Sequence, residues 1–388
     1  MLLQKLWARQ RRRLLKWSIT VNRYRNIKLW GAAGLVHDLF DAPRPAIKKT
    51  SVSMDVDRVL VARLLEKYRA LTQDFGTEFT IWPDVAPLHR ALTAGDADSL
   101  ASQFGRLFQD NLLLGMGHAE TLYFGERVWR PGFQELRMTD TLLALGEALG
   151  VLSLPSHAQM KLIDYVTAMH TDQNALFGKI EAVLAFSLEM PRVGNPPVFT
   201  LNGISTNADM VRHAYVANRI RQLGVGPQEA IVELGGGFGS LGLLANRAGF
   251  RNYTIIDLPV VGAIQTYFLG SALGRDAVSG YRENPAAMRV LPPPSFGEIP
   301  DRSVALSINM DSLPEIPRPE ALAYLREIRR TSRQFLSINQ EASAPHEVRL
   351  ERQTIVSDMI EEVGGFERIY RFPYWIIEGY AEELYRVV

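Results

Sequence analysis

Residues 231–239 read I-V-E-L-G-G-G-F-G, and residues 254–257 read T-I-I-D. An apolar, β-branched run gives way to a glycine-rich turn and reopens as a helix-like stretch. A second apolar run then ends in an acid, Asp257. Glycine lets a ligand approach the main chain more closely than any side chain would permit. A carboxylate at the tip of the next strand is placed to accept hydrogen bonds from a ribose diol. Together they predict a nucleotide-type site, with Gly235, Gly237 and Gly239 as the bend and Asp257 as its acid.

Two cofactor readings compete at this turn. Gly237, Gly239 and Gly242 satisfy G-x-G-x-x-G, and Asp257 lies about where a dinucleotide fold places its ribose acid, so NAD(P) is one reading. The other is S-adenosylmethionine (SAM). Glu233 stands inside the first strand, two residues before the first glycine, giving E-x-G-x-G-x-G. A carboxylate there suits a ligand with an ammonium and a sulfonium and repels a pyrophosphate. The strand is expected to end at Leu234, which also puts the dinucleotide pattern out of register. SAM is therefore the preferred cofactor.

A chain of 388 residues has room for two domains with substantial cores. With 47% hydrophobic and 22% charged residues it has a globular composition. It has no cysteine, which excludes disulfides, thiol catalysis and cysteine metal sites and suits a reducing cytoplasm. No apolar run approaches the roughly 20 residues that span a bilayer.

Charge is unevenly spread. Residues 1–37 hold nine Lys or Arg and no acid, so 34 of the 43 basic residues face 42 acidic ones in the remainder. Leu3, Leu6, Trp7, Leu14, Trp17 and Val21 fall near helical spacing, which makes this arm a candidate basic amphipathic helix. The arm is expected to pack on its own protein or on a second subunit of a homo-oligomer; the other reading is docking to a polyanionic partner or an anionic membrane surface, which would place the protein on the inner face. Basic residues interrupt every candidate signal core, so secretion is not expected. The acidic remainder has no basic stripe and argues against nucleic acid.

Three regions follow: a basic arm over 1–48, a helical lid or substrate domain over 49–198, and an α/β domain over 199–388. In the second, Val56, Val59, Leu60, Leu64, Tyr68, Leu71 and Phe75 keep one apolar face, and 158–188 does so again. Val193 to Pro197 reads as a linker or shaped loop. In the third, strands are expected at 230–234, 253–257, 288–291, 304–309, 334–339, 367–372 and about 375–388, with helices between most of them. Such alternation implies a mostly parallel sheet covered on both faces, ending in an antiparallel edge. Glu233, Asp257, Asn309 and Asn339 would lie at the carboxyl rim, where such sheets bind ligands.

These residues resemble the sugar O-methyltransferases of bacterial polysaccharide and natural-product gene clusters, within the class I SAM-dependent methyltransferases. The resemblance rests on Gly194-Asn195-Pro196, on 212–215, on E-L-G-G-G-F-G at 233–239, on I-I-D-L-P at 255–259, on N-M-D-S-L-P-E-I at 309–316 and on S-I-N-Q-E at 337–341. It implies a Rossmann-like methyltransferase sheet with a closing antiparallel strand and an N-terminal helical domain. It further implies SAM as cofactor and a hydroxyl of a sugar, glycan or other small molecule as acceptor. Glu233, Gly235, Gly237, Gly239, Asp257, Leu258, Asn309 and Met310 are expected to hold the cofactor.

Methyl transfer from a sulfonium is an in-line displacement in which alignment supplies much of the acceleration. A sugar hydroxyl also needs a base within hydrogen-bond reach. The candidate bases are Asp311, Glu315 and His346. Asp311 equally suits a turn, and Glu315 the first turn of a helix. His118, Tyr215 and Asn339 are candidate acceptor contacts, while His213 reads as a packed or capping residue. No residue cluster has metal spacing, although Asp311 and Glu315 offer oxygen ligands should a divalent ion take part. Of the aromatic residues Tyr123, Trp129, Phe372, Tyr374, Trp375 and Tyr380, one or two are expected to stack on a sugar ring, the rest being core. A methyltransferase-like binding subunit without catalysis is the non-enzymatic alternative.

Overall fold

The structure is a computed structural model that describes residues 47–49, 55–76, 83–113, 116, 133–153, 172–341, 354–377 and 379–388. The basic arm lies outside the described residues. No described helix is long and apolar enough to cross a membrane.

Strand β1 (Ile47–Lys49) precedes a helical region comprising α1 (Arg58–Phe75), α2 (Ala86–Ala94), α3 (Ala97–Gly105), α4 (Phe133–Ala148) and α5 (Gln173–Leu184). Asp57 starts α1 by accepting the Leu60 N–H at 3.0 Å, and Asp172 does the same for α5. Leu60, Leu64, Tyr68 and Leu71 are buried along α1 as expected, but Val59 is 59% exposed. It falls one position off the stripe set by its neighbours and faces water. The expected linker runs into a hairpin of β2 (Pro197–Leu201) and β3 (Ile204–Thr206), with β1 paired to β2. Its turn is Asn202-Gly203, both left-handed at φ 49° and 78°, a pairing that matches strand twist.

Helix α6 (Ala208–Gln222), capped by Asn207, leads into β4 (Ala230–Leu234). Then come α7 (Ser240–Arg247), β5 (Tyr253–Ile256), α8 (Pro259–Leu273), β6 (Val278–Ser279) and β7 (Met288–Leu291). They are followed by β8 (Val304–Met310), α9 (Arg318–Thr331), β9 (Ser332–Gln340), α10 (Val356–Val363), β10 (Phe366–Pro373) and β11 (Tyr380–Val387). The sheet order is β10-β11-β9-β8-β4-β5-β7-β6. This is the expected Rossmann-like, mostly parallel α/β sheet with helices on both faces.

The expected antiparallel closing strand is present: β11 returns between β9 and β10, pairing antiparallel with both. The outermost β10 therefore points the same way as the rest of the sheet.

The chain winds outward from β4 through β5 to β6 at the edge, returns to β7 between them, then crosses back to β8 and β9. The reversal lies between β4 and β8, where Leu234 sits opposite Asn309. The crevice at such a reversal is where α/β sheets bind ligands. One hydrophobic core lies on the sheet face covered by α6, α7 and α8 and runs on into the helical region; Phe104 stacks on Tyr267 at 4.1 Å across that junction. The other face packs on α9 and α10. Helix α8 is buried from Pro259 through most of its length, which explains why its sequence is apolar all round.

Candidate functional site

Beyond β4 the ladder continues one residue, with Gly235 N–H donating to Ile256 O at 3.0 Å. The backbone then turns left-handed at Gly235 (φ 73°) and Gly237 (φ 54°), and Gly239 starts α7. A side chain would collide at Gly235 and be tightly crowded at Gly237. A Cβ at 235 would stand 2.2 Å from Ser312 Oγ, and one at 237 would stand 3.1 Å from the Met116 carbonyl oxygen. The bend is fastened from below by Phe238, 1% exposed, which meets Phe108 and Phe268 edge-on at 5.1 Å each. Such contacts contribute about 0.5–1.5 kcal/mol beyond the buried area.

Asp257 folds back onto this bend. Its Oδ2 accepts from Gly236 N–H at 2.9 Å and from Gln265 Nε2 at 2.6 Å, and its Oδ1 accepts from Leu258 N–H at 2.8 Å. Gln265, fully buried on α8, also donates to Gly237 O at 3.0 Å. Burial pushes the Asp257 carboxyl up to about 6, against the pull of these three donors. A carboxylate offers about four acceptor positions, so one remains for a ligand hydroxyl. Leu258, partly exposed, stands at the start of α8 beside it.

Glu233 lies beneath the bend and not in front of it. It is 3% exposed and accepts from Tyr253 OH at 2.9 Å. Burial, reinforced by Asp257, pushes its carboxyl up to about 8 in spite of the tyrosine. Bonded to Tyr253 and set under the glycines, it supports the bend.

On the other side of the reversal, Asn309 is fully buried and committed to the protein. Its Nδ2 donates to Leu234 O at 2.9 Å and to Ser312 Oγ at 2.6 Å, while Oδ1 accepts from Leu313 N–H at 3.3 Å. The expected cofactor contact is thus a cross-tie between the tips of β4 and β8. Met310, 5% exposed, belongs to the core. Asp311 follows in a left-handed conformation, φ 71°, and is ion-paired with Arg212 of α6. Non-glycine residues in this region are strained and gather at functional sites. Burial opposes the Arg212 charge, but the Asp311 and Asp209 carboxylates outweigh it and keep the guanidinium protonated. Burial and Asp311 also push the Tyr380 phenol upward. Glu315 is exposed at the end of a short 3-10 turn.

Two expected acceptor contacts are buried and bonded within the protein, although Asn339 Oδ1 has no hydrogen-bond partner. Tyr215 is 7% exposed and donates to Glu382 Oε2 at 2.6 Å; Arg219 and Tyr370 bond the other oxygen at 2.8 Å. Asn339 is 3% exposed and donates to Ser337 Oγ at 2.9 Å. It alternates with Ile338, which faces α6, so its side chain points to the opposite face of the sheet. Among the aromatics, Tyr374 is fully buried against Tyr215, whereas Phe372 stacks on Tyr370 at 4.9 Å with Arg219 above both. His213, whose ring nitrogen stands 2.6 Å from Ser240 Oγ, ties α6 to α7 and is held neutral by burial and Arg212. His118, His346, Tyr123 and Trp129 lie outside the described residues. Among the described residues, no three His, Asp or Glu side chains form a metal cluster.

Sequence reasoning missed Gln265, Ser312 and the Arg212–Asp311 pair as site residues. Gln265 carried a readable signal, a lone amide in an otherwise apolar helix. The Arg212–Asp311 pair carried none, because 99 residues separate its members.

No protein-family model matches the sequence, and no curated protein matches it. Solved structures do. Mitomycin 7-O-methyltransferase MmcR is 14% identical, with 64% of this chain and 94% of that one covered and a TM-score of 0.33. Geranyl diphosphate C-methyltransferase from Streptomyces coelicolor A3(2), solved with S-adenosyl-L-homocysteine, is 12% identical over 45% of this chain and 78% of that one, TM-score 0.35. The cyclase SpnF is 15% identical over 47% and 81%, TM-score 0.37. The reaction is argued from the residues of the site.

Proposed function

We propose that this chain is a SAM-dependent O-methyltransferase acting on a hydroxyl of a sugar or glycosylated small molecule. The observation that carries the reading is Asp257 clasped onto the left-handed glycine bend at the reversal of the sheet. The strand order favours SAM over a dinucleotide: dinucleotide folds continue their sheet in parallel order, whereas here β11 runs antiparallel between β9 and β10.

SAM would supply an electrophilic methyl group for in-line transfer. The residues of the chain do the rest. The glycines admit the ligand to the main chain, Asp257 offers a position for a ribose hydroxyl, and the Asn309–Ser312 tie keeps the tip of β8 beside the bend. Asp311 is the preferred base. It stands on that tip, its side chain is 31% exposed, and Arg212 fixes its orientation. Removing the acceptor proton as the C–O bond forms is worth about 10²–10⁴-fold in rate. A hydroxyl acceptor fits a carboxylate base, and the sugar class rests on the sequence resemblance. The acidic balance outside residues 1–37 favours a small-molecule acceptor over nucleic acid, and the absence of cysteine suits a reducing cytoplasm.

Calorimetric titration tests the reading. SAM should bind the wild type and bind Asp257→Ala far more weakly, and NADPH should give no heat. Failure of SAM to bind, or tight binding of NADPH, overturns it. SAM binding without methyl transfer to any of a panel of glycosides and glycans would turn it into a binding subunit.

A further inference from the structure

We infer that the N-terminal helical region builds part of the cofactor pocket: α1 supplies the outer wall of the slot that takes the purine ring. This rests on the SAM reading above. A half-open cleft lined by Asp257 also takes in the end of β7 and α1. A ribose held on Asp257 would leave its base within reach of this cleft, which Asp257 lines. Ala263, Leu291 and Pro292 form the wall on the sheet side, and Leu64, Tyr68 and Leu71 of α1 form the opposite wall. Arg63, Lys67 and Glu283 line it as well, and apolar walls with polar groups among them suit a flat heterocycle whose edge needs hydrogen bonds.

The α1 wall is fixed in place. Arg63 grips Glu283 with two bonds of 2.7 and 2.6 Å and donates to the carbonyls of Arg275 and Val278 at 2.6 and 2.8 Å. Asp57 pairs with Arg275 at 2.6 Å, and Tyr68 OH lies 2.7 Å from His89 Nδ1, joining α1 to α2. These contacts hold α1 against the outer edge of the sheet, so the slot is preformed and its wall comes from outside the β–α repeat. Cofactor binding and the docking of the helical region then become linked equilibria.

Hydrogen exchange on the full-length protein, with and without S-adenosylhomocysteine, tests this. At ten times Kd, openings of α1 that destroy the pocket are suppressed by 1 + [L]/Kd, so amides over 60–72 should exchange about tenfold more slowly. Leu71→Trp, which fills the slot, should weaken binding at least about tenfold while the melting midpoint holds. If the ligand binds with α1 exchange unchanged, or binds the folded Leu71→Trp protein as tightly as wild type, the inference falls and the SAM reading stands. If it gives no heat with wild type, the SAM reading itself falls. Should Leu71→Trp not fold, exchange in the wild type decides.

Discussion

A Cβ on residue 235 would lie 2.2 Å from Ser312 Oγ, so the first glycine of the bend and the serine after β8 occupy adjoining space. That serine is held there by Asn309 Nδ2 at 2.6 Å and itself donates to Leu234 O at 3.2 Å. The closeness of β4 and β8 at the reversal thus depends on the absence of one side chain. Gly235→Ala should cost about 1–2 kcal/mol for the left-handed backbone and about 1–3 kcal/mol for overpacking. Denaturant unfolding measures the sum. Adding Ser312→Gly to the alanine variant should recover the steric part and leave the backbone part. No recovery would show that the collision is not the cause.

Glu233 gives a stability prediction with a definite sign. Its carboxyl is pushed from 4.5 up to about 8 by burial. The folded protein therefore keeps a proton that the unfolded chain has lost between about pH 4.5 and 8. Where the folded state binds more protons, stability falls as pH rises. The contribution is full below the unfolded value and is lost as pH climbs through about 8. Glu233→Gln retains an acceptor for Tyr253 OH but cannot titrate. Its melting midpoint should be flatter than wild type from pH 5 to 8.5 and higher at the alkaline end. Parallel curves would rule the buried acid out as the source.

The sheet was legible because its signals are local. The runs at Ala230–Leu234 and Met288–Leu291 begin and end where the apolar pattern does, and Pro259 and Gly274 bracket α8. Side-chain partnerships were not legible. Asn309 and Asn339 sit near the rim and Tyr215 on α6, but whether such a polar group faces a ligand or the protein depends on strand or helix face and on partners such as Glu382, 167 residues from Tyr215. Position in a strand locates a residue at the rim without saying which way its hydrogen bonds run. The Asn202-Gly203 turn, by contrast, was present as an Asn-Gly pair between apolar runs and could have been read.

Cofactor affinity should itself depend on pH. Ribose hydroxyls donate most strongly to an ionised carboxylate, and burial holds Asp257 at about 6 in the free protein. Binding favours the ionised form, so S-adenosylhomocysteine affinity should rise with pH through about 6 and level off above it. Below about 6 each pH unit costs up to about tenfold. Asp257→Asn should bind weakly with that step removed. Calorimetry from pH 5 to 8 in buffers of matched ionic strength makes the comparison, and a wild-type profile flat across pH 6 would assign the ribose contact elsewhere.

Asp311 separates chemistry from binding. Its left-handed backbone, φ 71°, is one that asparagine also tolerates, so Asp311→Asn should preserve the tip of β8. Arg212 would lose its ion pair but keep the field of Asp209. With a methylatable acceptor in hand, kcat should fall about 10²–10⁴-fold, while calorimetric affinity for S-adenosylhomocysteine stays within about twofold, since the carboxylate acts on the acceptor proton and not on the cofactor. A rate loss that shrinks as pH is raised would fit a missing base, because the acceptor's own ionisation then takes over. Wild-type kcat in the asparagine variant would instead move the base to another residue, with Glu315 the next described carboxylate on that tip.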